Sequence, residues 1–147
     1  MIIRQSERND LEALLQLYTF LHDNATVPII DDKVAALWSS IIKDPNHHII
    51  VGIKDNQLIS SCVLIIIPNL TRGQRPYALI ENVVTHPDYR GNGYATQILN
   101  YAKEISCEHN CYKIMLMTGS KQESTLNFYK RAGYNMDDKT AFIQWLK

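Results

Sequence analysis

The chain has 147 residues, of which 46% are hydrophobic and 20% are charged. This length fits one domain with its own hydrophobic core, so a single domain is predicted over residues 1–147. The 15 Lys and Arg residues balance the 15 Asp and Glu residues, which leaves no cationic excess of the kind that binds nucleic acid phosphates. The composition also excludes disordered, collagen-like and coiled-coil chains, and no nucleic acid partner is predicted.

The apolar runs and the cysteines of the chain bear on its location and on metal binding. The longest apolar runs are strand-sized, well below the roughly 20 residues that span a bilayer, and no basic and then apolar leader opens the chain, so no membrane partner is predicted. The cysteines are Cys62, Cys107 and Cys111, and their odd number argues against a disulfide framework and favours the reducing cytoplasm. Cys107, His109 and Cys111 cluster, but no second pair of ligands faces them, so no metal is predicted.

Hydrophobic periodicity predicts a mixed α/β fold. Apolar residues at helical spacing indicate helices, and runs of β-branched residues indicate strands. In the first half of the chain, the predicted elements are a strand over 1–5, a helix capped by Ser6 and reaching 21, a helix from Asp31 or Asp32 to 44, and strands over 48–53, 58–67 and 77–85. In the second half, they are a helix over 94–109, a strand over 113–118, a helix that begins at a capping-box pattern at 120–123 and ends at 132, and strands over 134–136 and 141–146. The order β-α-α-β-β-β-α-β-α-β-β favours one mixed sheet covered by helices.

The most informative segment runs from residue 80 to residue 95, where a strand leads through a loop with two glycines into an amphipathic helix. Gly91 and Gly93 allow backbone N–H groups to approach a ligand closely. The helix N-terminus adds unpaired donors and a partial positive charge, so the segment predicts a pyrophosphate site. The third glycine of the dinucleotide fingerprint and the Gly-Lys-Ser/Thr of a P-loop are missing, which argues against those sites. An ordinary loop with a helix cap is the alternative interpretation.

The pattern Arg90-x-x-Gly93-x-Ala95 resembles the acetyl-CoA-binding signature of the Gcn5-related N-acetyltransferase (GNAT) family. Downstream, Asn-Phe-Tyr-Lys-Arg-Ala-Gly-Tyr at 127–134 is similar to the Phe-Tyr-x-x-x-Gly-Phe segment of that family. The predicted element order also matches the family fold, so the resemblance covers nearly the entire chain. It implies a GNAT-type acyl-CoA N-acyltransferase fold. It also implies that an acetyl group passes from acetyl-CoA to a primary amine by direct attack in a ternary complex.

The resemblance also implies which residues contact acetyl-CoA. Val83 and Val84 would offer main-chain groups to the pantetheine arm, because this strand bulges and splays from its neighbour in the family. Thr96 is a further contact, and Asn127 substitutes for an asparagine that family members often carry where this chain has Gln122. The pyrophosphate would be held by the amides of Arg90, Gly91, Asn92, Gly93, Tyr94 and Ala95.

Two side chains are implied to move protons. Glu81 stands where relatives carry a base that acts directly or through water, and Tyr129 matches the family's general-acid tyrosine. Acyl transfer needs both, since the acceptor amine must be neutral to attack and the departing thiolate benefits from a proton. The alternatives are a solvated or salt-bridged carboxylate for Glu81 and a packed aromatic ring for Tyr129. Tyr18, His22 and Trp38 line either the acceptor pocket or the core.

The sequence does not specify which amine accepts the acetyl group. A small-molecule amine is favoured, because the chain has no acidic or basic tract for a peptide. A protein N-terminus or lysine is the alternative acceptor, and a non-catalytic acyl-CoA-binding sensor is the alternative function. Relatives often dimerise, so a homodimer is one assembly that the resemblance allows, and the sequence does not fix the oligomeric state.

Overall fold

The structure, a computed structural model, describes all residues from 1 to 147. It divides into two compact units, Met1–Leu116 and Met117–Lys147, each of which is described by itself. The helices and strands are β1 Ile2–Gln5, α1 Leu11–Tyr18, α2 Asp32–Lys43, β2 His47–Lys54, β3 Gln57–Ile67, β4 Tyr77–Thr85, α3 Tyr94–Glu108, β5 Ile114–Leu116 and α4 Glu123–Arg131. None of these helices combines the length and the apolarity that crossing a bilayer would require.

The five strands form one mixed sheet in the order β1-β2-β3-β4-β5. Neighbouring strands are antiparallel except for β4 and β5, which are parallel. A parallel pair needs a crossover connection, and α3 provides it. The predicted α/β class with a mixed sheet is therefore confirmed.

Helices cover both faces of this sheet. On one face, Leu14 of α1 and Trp38 of α2 pack with Ile49, Val51 and Val63 of the sheet. On the other face, α3 packs on β2, β3 and β4, and its buried side chains include Ile98, Leu99 and Ala102. Burying each large aliphatic side chain contributes about 1.5–3 kcal/mol, so this two-sided core stabilises the sheet that carries the site.

The first helix begins differently from the prediction. A short 3-10 turn over Arg8–Asp10 precedes α1, and the Asp10 carboxylate, not Ser6, satisfies a backbone donor there by accepting from the Glu7 N–H at 2.6 Å. Arg4 of β1 donates two hydrogen bonds to the same carboxylate, at 2.6 and 3.0 Å. This pair fixes the start of α1 against the edge of the sheet.

The predicted strands over 134–136 and 141–146 are not formed. In the second unit, Gly133 has a φ of 94°, as expected for a left-handed cap after a helix, and the residues after it adopt neither helix nor strand. Phe142, Trp145 and Leu146 are 84–92% exposed. A strand forms only where its backbone groups pair with a neighbouring strand, so an apolar pattern alone does not create one.

Candidate functional site

Strand β4 extends beyond one of its two neighbours. β5 pairs with residues 78–80 of β4 and ends at Leu116, opposite Ile80. β4 itself continues to Thr85. The main-chain groups on that side of residues 81–85 therefore have no partner in β5, and such a strand edge can bind an extended ligand by hydrogen bonds.

β4 also carries a β-bulge against its other neighbour, β3. Asn82 and Val83 together oppose the single residue Cys62. Asn82 has a φ of 52°, in the left-handed region that asparagine tolerates better than most residues. The bulge lies directly between Glu81 and Val83, two of the predicted site residues.

The bulge decides which later residues of β4 share a face with Glu81. Glu81 pairs with Val63, and Val84 pairs with Ser61. Cross-strand partners share a face, and Val63 belongs to the core beneath α1 and α2. In a regular strand, positions 81 and 84 would point to opposite faces. The extra residue places both on the face of α1 and α2, where Glu81 is exposed and Val84 is buried.

The loop after β4 requires its two glycines. Gly91 and Gly93 have φ values of 78° and 76°, which strain any residue that has a Cβ. A Cβ added at either glycine meets no atom within 4 Å, so the space above both is open. Asn92 holds the loop by donating from its amide to the carbonyl oxygens of Tyr89 and Arg90, both at 3.1 Å.

Helix α3 begins without a side-chain cap. Gly93 is its cap residue, and the first helical hydrogen bond runs from the Gln97 N–H to the Gly93 carbonyl at 3.1 Å. The N–H groups of Tyr94, Ala95 and Thr96 therefore have no acceptor within the helix. Together with the helix dipole, these donors make the helix start a site for an anionic group.

Two cations flank this helix start. Lys54, at the end of β2, donates to the Tyr94 hydroxyl at 2.8 Å, and this hydrogen bond raises the pKa of the lysine. Arg90 donates from Nε to the Thr85 carbonyl at 3.0 Å, which holds its guanidinium at the end of β4. Sequence reasoning missed Lys54, since only the sheet arrangement brings the end of β2 beside α3.

A pair of buried hydroxyls lies near the bulge. The hydroxyl oxygens of Tyr18 and Ser61 are both buried and make no hydrogen bond. Burial raises the pKa of Tyr18 to about 12, and the nearby side chains of Ser61 and Asn82 offset part of that rise without completing a hydrogen bond. The sequence predicted that Tyr18 and Trp38 lie either in the acceptor pocket or in the core. Trp38 is a core residue, and its indole N–H donates to the Arg8 carbonyl at 3.0 Å.

The remaining predicted residues lie on α4, in the second unit. Asn127 and Tyr129 are both half-buried. They are two positions apart on a helix, so their side chains leave it on different faces. The Tyr129 ring contacts the ring of Phe128, with centroids 4.8 Å apart, and that of Tyr134, with centroids 6.3 Å apart. The roles of Asn127 and Tyr129 stay predictions.

The predicted residues of the first unit lie on one continuous strand–loop–helix segment. The structure brings them together as a strand edge, an open loop and an uncapped helix start. The role of Glu81 as a base stays a prediction. So do the contacts with acetyl-CoA of the other residues on this segment, which are Val83, Val84, Arg90, Gly91, Asn92, Gly93, Tyr94, Ala95 and Thr96.

Comparisons with known proteins agree with this geometry. The family model described as the Acetyltransferase (GNAT) family matches residues 11–134. A glucosamine 6-phosphate N-acetyltransferase of Trypanosoma brucei brucei is 35% identical over 83 residues, which are 56% of this chain and 54% of that protein. The chain thus spans about half the length of this curated relative.

Solved structures match over nearly the whole chain. A protein of Agrobacterium tumefaciens that was assigned as an acetyltransferase is 34% identical with a TM-score of 0.92, covering 99% of this chain and 100% of that one. An acetyltransferase of Trypanosoma brucei is 27% identical with a TM-score of 0.82, covering 98% and 99% of the two chains. The strand–loop–helix segment therefore occurs in a fold that known acetyltransferases share.

Proposed function

The chain belongs to the acetyltransferase (GNAT) family, and from this premise we propose that it transfers the acetyl group of acetyl-CoA to a primary amine of a small molecule. One observation carries the proposal. β4 extends past β5 after Ile80 and continues, through a loop with two left-handed glycines, into the uncapped start of α3. This segment offers hydrogen-bond donors to an elongated ligand and to its anionic group.

The residues present fit acetyl-CoA. The amides of residues 90–95 bind the pyrophosphate, with Thr96 in the same helical turn, and Lys54 and Arg90 supply positive charge beside it. Val83 and Val84 offer main-chain groups to the pantetheine arm, and Asn127 is a further contact. When bound, acetyl-CoA supplies an acetyl group that is already activated as a thioester, so no covalent enzyme intermediate is required.

The chain's own residues then move protons and stabilise charge. Glu81 accepts a proton from the acceptor ammonium, directly or through water, so that the amine can attack. Main-chain N–H groups of Val83 or Val84, at the bulge, stabilise the negative charge that develops on the acyl oxygen. Tyr129 donates a proton to the leaving thiolate, since phenols and thiols in general have similar pKa values, so that such a transfer is feasible.

Several observations support a small-molecule acceptor. The Trypanosoma relative is named for acetylation of glucosamine 6-phosphate, an amino sugar. The chain is neutral overall and has no charged tract for binding a peptide tail. Its three cysteines are all free, which fits a reducing compartment, so the cytoplasm is the proposed location.

The release of coenzyme A thiol from acetyl-CoA tests this proposal. Purified protein is given a panel of amines comprising amino acids, polyamines, amino sugars, aminoglycosides and short peptides. We expect release above background with one class of small amine. Release with peptides alone would replace the acceptor by a protein. Silence with tight binding of acetyl-CoA would favour a sensor, and silence without binding would overturn the assignment of residues 90–95.

A further inference from the structure

Two histidines that are distant in sequence meet where the end of α3 packs on β2. His48 lies in β2, and His109 caps the end of α3. Their rings are in edge-to-face contact, with centroids 5.1 Å apart. The proposed acetyl-CoA site uses the other end of this helix, which begins at Tyr94. The proposed function therefore gives this histidine pair no role.

Hydrogen bonds fix where each ring carries a proton. His48 Nδ1 lies 2.9 Å from Oε1 of Gln5 in β1, and His109 Nδ1 lies 2.9 Å from the carbonyl oxygen of Ile105 in α3. Both oxygens can only accept, so each Nδ1 carries a proton, and in a neutral ring the Nε2 carries none. Neutral His48 thus holds β1 through its hydrogen bond and the end of α3 through its ring.

The position of His48 disfavours a second proton. The residue is 7% exposed, and its Nε2 is buried without a hydrogen-bond partner. Burial, with the neighbouring imidazoles of His109 and His47, lowers the pKa of His48, and Asp44 and the Pro45 carbonyl oppose this only in part. A proton on Nε2 would place a poorly compensated charge inside the protein, which disfavours the packed state.

The elements around His48 supply no carboxylate that pairs with it. The salt bridges of the structure involve only Arg4 and His86 as cationic partners. β1 contributes the neutral Gln5, and β3 pairs Leu64 with His48. The nearby carboxylates, Asp44 before β2 and Glu108 at the end of α3, are exposed, so water screens their attraction for a charge on His48.

We propose that the histidine pair is a pH-sensitive contact, which holds the end of α3 against β2 while His48 is neutral and releases it when His48 takes a proton. In the unfolded or locally open chain, a histidine has a pKa near 6.5, above the lowered pKa of packed His48. The open form therefore binds more protons, so the contact is stable above about pH 6.5 and weakens as the pH falls toward the lower, packed value.

Hydrogen exchange of the full chain, followed by NMR, tests this release. The amides of residues 109–111 donate to carbonyl oxygens of the last turn of α3. We expect their protection factors to fall by about threefold or more between pH 7 and pH 5.5, as one histidine with a lowered pKa requires. In His48→Asn, which retains a donor near the place of Nδ1 and cannot be protonated, the fall should be less than about twofold. His22→Asn is the matched control, because His22 is exposed, and it should show the wild-type fall.

The NMR titration of the His48 ring is a second measurement, which needs no variant. We expect the ring to be mainly neutral at pH 6.5, where an ordinary histidine is half protonated, with its proton on Nδ1. Half protonation of His48 at pH 6.5 would overturn the inference. Protection factors that stay constant in the wild type, or that fall equally in His48→Asn, would also overturn it. Both measurements are made without acetyl-CoA or an amine, so these outcomes leave the proposed function unaffected.

Discussion

The ammonium of Lys54 donates a 2.8 Å hydrogen bond to the hydroxyl of Tyr94, which joins the end of β2 to the first residue of α3. The same ammonium lies 5.3 Å from the centroid of the Tyr94 ring and 6.0 Å from that of Tyr89. A helix N-terminus carries a partial positive charge, so a lysine there is unfavourable for the helix alone. An anionic ligand at the helix start would make the same charge favourable.

Lys54→Met should therefore weaken acetyl-CoA binding by roughly threefold, as expected for one exposed charge. The salt dependence of binding should also decrease, because surface charges are screened by ions. Calorimetric titration at low and high salt measures both. Lys103→Met, on the exposed side of α3, is the control and should change neither; equal weakening by the two variants would contradict a role for Lys54.

Gly93→Ala should lose acetyl-CoA binding by at least about tenfold, because the left-handed backbone strains alanine and the new methyl group enters the open space above the loop. Gly73→Ala is a matched control, since Gly73 has a φ of 68° and equally open surroundings in another loop. Both variants should lose about 1 kcal/mol of unfolding free energy, and only Gly93→Ala should lose binding. Denaturant unfolding measures the loss of stability, and calorimetry measures the loss of binding. A loss of acetyl-CoA binding in Gly73→Ala would contradict a specific role for the loop at Gly93.

Glu81→Gln should lower kcat/KM at pH 7 by about a hundredfold if its carboxylate takes the proton from the acceptor ammonium. The loss should shrink as the pH rises through the pKa of the acceptor's ammonium, because above that pKa the amine is neutral and needs no base. Rates of thiol release from pH 7 to pH 9.5 test this. Glu104→Gln, on the exposed face of α3, should behave as wild type, and a loss that is constant across the pH range would refute the assignment of a base.

Tyr129→Phe should lower kcat by at least about tenfold and leave the Kd of acetyl-CoA unchanged, because only the proton donor is removed and the ring remains. Single-turnover rates and a binding titration measure the two quantities. Tyr101→Phe on α3 is the control. Unchanged turnover in Tyr129→Phe would exclude Tyr129 as the general acid.

The pair of Arg4 and Asp10 should make stability depend on pH. The hydrogen bond from Arg4, at 2.6 Å, lowers the pKa of Asp10 below its usual value. A carboxylate whose pKa is depressed in the folded state stabilises fully above its unfolded pKa, near 4, and that contribution is lost as the pH falls through the folded value. Asp10→Asn should therefore cost about 1 kcal/mol at pH 7 and progressively less below pH 4.

Urea unfolding at pH 7 and at pH 3 measures this difference. Glu108→Gln, at the exposed end of α3, removes a carboxylate without removing this pair and should change stability little at either pH. A destabilisation by Asp10→Asn that stays constant between the two pH values would show that charge on Asp10 is not its source.

The sequence predicted the elements that have local causes. Asp31 caps α2 by accepting from the Val34 N–H at 2.8 Å, and Gly91 and Gly93 lie in an open loop directly before α3, as the sequence indicated. The last two predicted strands failed, because strand formation depends on a partner that local pattern does not specify.

By itself, the sequence determined the order of elements through α4, the glycine loop and the family that its motifs resemble, since helix periodicity, turn residues and short motifs are local properties of the chain. Only the tertiary structure decided where β5 ends against β4, that a bulge at Asn82 places Val84 on the same face as Glu81, and that Lys54 and Tyr18 approach the site. These features depend on register between strands that are distant in sequence. A shift of one residue in register exchanges the faces of a strand, and no local pattern records where that shift occurs.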